Sequence, residues 1–328
     1  MTVLVTGGGG FLGGAIIDQL LVRGESVRSI SRSTYPKLEA KGVTCIQGDL
    51  ADAQAVSNAA EGCELVFHVA AKAGVWGSYE DYFEANVVGT RNVIAACKTH
   101  QIPHLVHTSS PSVTFAGEDE NGVDESIPYA PNFLCNYPKT KAQAEQEVLA
   151  ANDGTLHTVA LRPHLIWGPG DNHLVPRIVA RAKAGKLKLV GDGSNRVDAT
   201  YVDNAASAHL AAADELRGDG TCAGKAYFIS NDEPIAMKDL LNQILAAADL
   251  PPVTQSVPPG LAYAVGAAME GAYRLFGKEE EPMMTRFVAR QLATDHWYDI
   301  GAAKNDFGYN PAVTMADGME RLKAWLST

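Results

Sequence analysis

Through the first half of the chain, short runs of β-branched and apolar residues alternate with longer stretches whose apolar positions recur at helical spacing. The runs "TVLVT" (2–6), "SVRSIS" (26–31), "VTCIQ" (43–47), "ELVFHVA" (64–70), "HLVHTSS" (104–110) and "HTVALR" (157–162) predict strands. Between them, "FLGGAIIDQLLVRG" and "YFEANVVGTRNVIAACKTH" carry the helical period most clearly. Strand and helix in turn predict an α/β fold built on a doubly wound parallel sheet with helices on both faces.

The rhythm breaks after about residue 163. Proline and glycine crowd "RPHLIWGPGDNHLVPR", helical stretches take over, and one more strand, "AYFIS" (226–230), appears. The predicted division is a doubly wound domain over 1–163 and a smaller mixed, mainly helical region over 164–328, interleaved with the first around 195–230. The second region is expected over the carboxyl edge of the sheet, where such folds bind ligands. The acidic stretch "GEDENGVDES" (117–126) is expected to be solvated surface.

Composition narrows the function classes. The 328 residues are 46% hydrophobic and 20% charged, which excludes disorder, and the formal charge of −11 argues against nucleic acid or an anionic membrane as partner. An anionic ligand would therefore need a pocket of local geometry. Cys45, Cys63, Cys97, Cys135 and Cys222 are scattered without a Cys-x-x-Cys pair, so neither a disulfide framework nor a metal site is expected. The opening "MTVLVTGG" enters a strand directly without signal-peptide features, and "LAYAVGAAM" stops at Glu270, short of the roughly 20 residues of a membrane span. A cytoplasmic protein without a transmembrane segment is expected.

The chemistry starts at "TGGGGFLGG". Glycines at 7, 10 and 13 sit between the first strand and the first helix, where backbone N–H groups and the positive helix end meet a pyrophosphate. Gly7 would permit the turn, Gly10 the approach of phosphate, and Gly13 the contact of helix with sheet, with Phe11 and Leu12 opening the helix. At the end of the second strand stand Ser31, Arg32 and Ser33 with no carboxylate, which favours NADP(H) and leaves NAD(H) possible; an exposed strand-end arginine is the competing reading. Asp49 and Leu50 could frame an adenine, and Ala70, Ala71 and Lys72 end the fourth strand where small side chains admit a ligand or merely pack. In "NYPKTK", Tyr137 and Lys141 lie one turn apart at the start of a helix, a spacing that by itself proves nothing.

Taken in order, "TGGGGFLG", "GDL", "VFHVAA", "NVVGTRNV", "VHTSSPSV", "YPKTK", "LRPHLIWGPGD" and "YVDNAA" resemble the extended short-chain dehydrogenase/reductase family, nearest its 3β-hydroxysteroid dehydrogenase branch. Within that branch, "AKAGVWGSYEDY", "VGDGSNRVDATYVDNAA", "GKAYFISNDEP" and "HWYDI" are similar to reductases of bacterial long-chain olefin biosynthesis. The resemblance implies a catalytic Ser110, Tyr137 and Lys141, Asn86 near the nicotinamide ribose, and Pro163, His164 and Leu165 beside the carboxamide. It further implies reduction of a long-chain β-keto acid to the 2-alkyl-3-hydroxy acid, a homodimer, and association with other olefin-pathway enzymes. A lysine ammonium beside the tyrosine is expected to lower the phenol's pKa. For the lipophilic substrate, His164, Trp167 and Tyr201 are candidates, together with a wall of Leu261, Val265, Met269, Phe276, Met283 and Met284; a plain core or subunit-contact helix fits that spacing as well. The alternatives are a steroid dehydrogenase, a sugar-nucleotide epimerase or dehydratase using Arg177, Arg196 and Arg286 for a second pyrophosphate, and a non-catalytic dinucleotide sensor.

Overall fold

The computed structural model describes all 328 residues. Seven parallel strands form the main sheet. They are β1 (Thr2–Thr6), β2 (Ser26–Ser31), β3 (Thr44–Gln47), β4 (Leu65–His68), β5 (His104–Thr108), β7 (His157–Pro163) and a last strand, Lys225–Ile229; β6 (Glu120–Val123) belongs to another sheet. From edge to edge the order is Lys225–Ile229, β7, β5, β4, β1, β2, β3. Order reverses at β1, so the crevice between the carboxyl ends of β1 and β4 is the switch point where ligands bind in such sheets. Val3, Leu4 and Val5 of β1 and Leu65, Val66 and Phe67 of β4 are wholly buried, as strands covered on both faces require.

Helix α1 (Phe11–Val22) packs its Ile16, Ile17 and Leu20 into the core on one side of the sheet, against the helix Val202–Arg217. On the opposite face, Val56, Ala59, Val93, Cys97 and Val148 from three helices close a second cluster with Leu4, Val66 and Leu105. A third cluster, around Trp167, Tyr201, Leu240, Ile244 and Leu322, fills the later part of the chain.

The acidic stretch departs from expectation. Residues Glu120–Val123 form β6, which pairs with His296–Tyr298 in a four-stranded sheet completed by Arg196–Val197 and Ile235–Ala236. Glu120 is buried because the Tyr298 hydroxyl donates to it at 2.8 Å, and the Glu125 carboxylate accepts the Phe228 N–H at 2.7 Å. Two carboxylates within a run of acidic residues thus serve as acceptors inside the fold rather than as solvated charge.

Candidate active site

β1 runs out into Gly7, whose φ is +71°, and a Cβ there would lie 2.9 Å from the backbone of Ala70. Only glycine lets the ends of β1 and β4 close in this way. A Cβ on Gly13 would fall 2.2 Å from the Gly7 oxygen, so α1 sits directly on the turn. Gly10 caps α1 without a side-chain acceptor, which leaves the first-turn N–H groups of Phe11, Leu12 and Gly13 to an incoming anion. Thr6 Oγ1 accepts from the N–H groups of Val69 and Ala70 at 3.1 Å and pairs with His68 Nδ1 at 2.9 Å, pinning the end of β4 to the turn. This uncapped cradle fits a pyrophosphate.

The other predicted cofactor contacts ring the same edge. Arg32 and Ser33 are exposed beyond β2, where Ser31 Oγ donates to the Ser33 carbonyl at 2.8 Å and Gln47 Nε2 to the Arg32 carbonyl at 3.0 Å. The loop is held by its backbone, and the guanidinium stays at the surface. Asp49 is exposed and accepts the Ala51 N–H, whereas Leu50 lies against Gly89 and its carbonyl accepts from Asn92. Ala71 is exposed. Lys72 is fixed at both ends, since its ammonium pairs with Asp81 at 3.0 Å and its backbone N–H donates to Asn86 Oδ1 at 2.7 Å.

Asn86 does more than its assigned neighbourhood to the ribose suggests. It lies in a π-helical turn, Glu84–Val88, of the kind that often marks functional sites. Its Nδ2 donates to the Lys72 carbonyl at 3.2 Å and to Thr140 Oγ1 at 3.0 Å, joining the loop after β4 to the helix that carries Tyr137 and Lys141. Periodicity gives no hint of Thr140.

That helix, Asn136–Ala150, begins at the predicted place. Tyr137 is half-buried, edge-on to Tyr82 with ring centroids 6.5 Å apart. Burial pushes its phenol above the ordinary range, while hydrogen bonding with Ser110 opposes the rise. Ser110 follows β5 as the cap of the turn Pro111–Val113, its hydroxyl 2.8 Å from that of Ser112. Ser109, the neighbouring hydroxyl, is buried and has no partner.

Lys141 is buried, and its Nζ donates to the Thr108 carbonyl at 2.6 Å and stands 3.3 Å from His107 Nε2. Desolvation lowers its pKa to about 8, partly offset by the Glu145 carboxylate one turn further on. The expected depression of the phenol by this ammonium is therefore corrected. Burial dominates at Tyr137, and the lysine faces the end of β5. His107 is kept neutral by burial, by Lys141 and by the neighbouring His68 and His209. Glu145 is itself locked by Arg162, with Nη2 to Oε1 at 2.6 Å, and by the Tyr129 hydroxyl at 2.7 Å. The i+4 spacing of Lys141 and Glu145 was visible in the sequence, but not the burial that makes it matter.

The substrate candidates separate. Pro163 ends β7 opposite Ile229, and Leu165 takes φ +40°, a strained conformation for leucine. The turn is held by His164 N–H to Ile229 O at 3.0 Å and Thr200 Oγ1 to His164 O at 2.7 Å. His164 is buried, with Nδ1 2.7 Å from Asp198 Oδ1. With Asp198 already paired and the Glu120 carboxylate nearby, this is a poor seat for a substrate carboxylate. Trp167 and Tyr201 are core residues rather than pocket walls; their rings meet at 5.4 Å, and a Cβ on Gly318 would fall 2.8 Å from both. Leu261 and Val265 face solvent because the helix Pro259–Leu275 turns its small Ala262 and Gly266 inward, and Phe276 and Met283 beyond its end are exposed as well. The arginines proposed for a second pyrophosphate are engaged elsewhere: Arg177 with Glu281, Arg286 with Glu270 at 2.8 Å, and Arg196 over the Trp297 ring.

Known proteins are similar to this chain over nearly its whole length. Residues 4–257 match the model of the 3-beta hydroxysteroid dehydrogenase/isomerase family. The chain is 58% identical over 330 residues to a 2-alkyl-3-oxoalkanoate reductase of Shewanella oneidensis, covering 98% of this chain and 85% of that one. It is 54% identical to a protein of the same description from Stenotrophomonas maltophilia, with 99% of each covered. Among solved structures, that of gox2253 superposes with a TM-score of 0.81 at 26% identity, covering 99% of this chain and 98% of the other. No helix is long and apolar enough to cross a membrane. With its glycine cradle, its seven-stranded switch point and these relatives, the chain belongs to the 3-beta hydroxysteroid dehydrogenase/isomerase family and is an NAD(P)-dependent oxidoreductase.

Proposed function

We propose that the protein reduces the 3-oxo group of a long-chain 2-alkyl-3-oxo acid to the hydroxyl, using NADPH, with Ser110, Tyr137 and Lys141 as the catalytic residues. The observation that carries this reading is where these residues lie: Ser110 caps the turn just after β5, and Lys141, one helical turn beyond Tyr137, donates to the Thr108 carbonyl at the end of the same strand at 2.6 Å. Burial raises the Tyr137 phenol above its ordinary range, which favours the neutral form that can give a proton to a forming alkoxide. The dinucleotide, when bound, supplies the hydride. Ser110 donates a hydrogen bond to the carbonyl oxygen as charge gathers there, and Tyr137 delivers the proton that makes it a hydroxyl. Lys141, anchored by the Thr108 carbonyl at the end of β5, holds its ammonium where a ribose hydroxyl of the dinucleotide can be bound.

The glycine turn, Asp49, Leu50, Ala70, Ala71, Lys72, Asn86, Pro163 and Leu165 are assigned to the cofactor, with Arg32 and Ser33 taking the 2′-phosphate. An exposed guanidinium with two hydroxyls and no carboxylate at the strand end supports NADPH over NADH. The two reductase relatives support the substrate. The engagement of Arg177, Arg196 and Arg286 counts against a sugar nucleotide. A cytoplasmic homodimer that meets other enzymes of the olefin pathway belongs to the same reading, and sedimentation of the purified protein with and without them measures it.

A panel assay of NADPH oxidation tests the substrate. Turnover is expected with a 2-alkyl-3-oxo acid and not with a 3-ketosteroid or a UDP-sugar. Consumption with the steroid alone would move the enzyme to the steroid branch.

A further inference from the structure

Tyr35 has no place in the site as described so far. It lies three residues beyond Arg32 and caps the short helix Pro36–Glu39, where its carbonyl accepts the Leu38 N–H at 2.8 Å. Its ring is half-buried against the main core cluster. A Cβ built on Gly9 would fall 2.1 Å from Tyr35 Cζ and 2.3 Å from both Cε atoms. Such even distances place the phenol end of the ring face-on against the Gly9 Cα.

Backbone freedom does not explain this glycine, since Gly9 is not among the residues with positive φ. The ring needs the space that any side chain would take. Next to it, a Cβ on Gly8 would lie 2.4 Å from Ser29 Oγ in β2. Two successive residues of the glycine turn are thus fitted to β2 and to the loop beyond it.

We infer that Tyr35 is a positioning residue for the dinucleotide: stacked on Gly9, it docks the Arg32–Ser33 loop onto the glycine turn and so fixes the distance between the 2′-phosphate and pyrophosphate sites. This rests on the NADPH reading above. Without the strut the exposed loop must be ordered at the moment of binding, which weakens affinity. The effect belongs mainly to the 2′-phosphate, because the pyrophosphate cradle is held separately by Thr6 and Ala70.

The test is a double-mutant cycle read by dissociation constants for NADPH and NADH, from quenching of protein fluorescence, with thermal melting to establish that each variant is folded. Gly9→Ala and Tyr35→Ala are each expected to raise the NADPH constant roughly tenfold, and the double variant to bind no worse than Tyr35→Ala alone. Tyr35→Phe keeps the ring and is expected to restore binding. NADH binding should fall less than NADPH binding in Tyr35→Ala. Penalties that add across the cycle would overturn the pairing. Losses equal for both dinucleotides, in a wild-type enzyme that prefers NADPH, would overturn the positioning role. If the wild type binds both equally, the 2′-phosphate reading fails, and the same cycle run with NADH judges the strut alone. Should Gly9→Ala not fold, Tyr35→Ala against Tyr35→Phe decides the matter.

Discussion

Lys141 is the residue on which burial acts with most consequence. A buried ammonium with a pKa near 8 is charged at neutral pH and loses its proton just above it. The groups facing it are Thr108 and His107 from β5, His68 from β4, and Glu145 from its own helix; of these only Glu145 favours the charged form through its own charge. The pKa is lowered, so the working ammonium is present below about 8 and disappears as pH rises through that value. Above this pH kcat/KM is expected to fall by about tenfold per unit, because that ratio reports the free enzyme. Lys141→Arg, which cannot deprotonate in this range, should flatten that limb even where its rate is low. At Arg32 the expectation concerns specificity. Arg32→Ala should raise the Michaelis constant for NADPH far more than for NADH, and equal effects on the two would remove this side chain from the 2′-phosphate site.

Among the elements, the helix Asn136–Ala150 matters most, and its placement depends on a buried charge pair. Glu145 on the helix and Arg162 on β7 are both almost inaccessible, joined by three hydrogen bonds, with the guanidinium also over the Phe228 ring. Arg162→Leu would leave the Glu145 carboxylate with only the Tyr129 hydroxyl and is expected to cost about 3–5 kcal/mol in urea denaturation. Replacing both residues by leucine should cost less than that single change. The start of this helix could be read from the sequence because Tyr137 and Lys141 stand where an apolar period begins. Its anchor could not, because Arg162 lies inside a run that reads simply as a strand. The helix Pro259–Leu275 shows the opposite failure. Its large residues set up a helical stripe, yet the inward face is defined by small ones, Gly266 lying against the Thr285 and Arg286 backbone. Periodicity of bulk then points to the wrong side.

For the whole molecule, the doubly wound sheet was legible nearly strand by strand. β1 and β2 fall at the predicted residues, and β4 and β5 end two residues early, at His68 and Thr108. Wholly buried strands advertise themselves by unbroken apolar runs. The four-stranded sheet was not legible, since its strands are two to four residues long and one of them is acidic. Glu120 is paired by Tyr298, far along the chain, and no local pattern can announce such a partner. The candidate site divides in the same way: glycine turn, tyrosine and lysine are local signals, whereas Asn86 tying Lys72 to Thr140 joins three separate segments.

The central claim is that one phenol donates the proton as hydride arrives at a ketone. Its most direct test is a single-turnover reaction of a 2-alkyl-3-oxo acid with NADPH deuterated at C4, followed by mass spectrometry, in wild type and in Tyr137→Phe. The account predicts deuterium at C3 of the hydroxy acid in the wild type, and in the variant unchanged NADPH binding with a rate lower by roughly a hundredfold to ten-thousandfold. A Tyr137→Phe enzyme that binds NADPH normally and still transfers deuterium at most of the wild-type rate would contradict it.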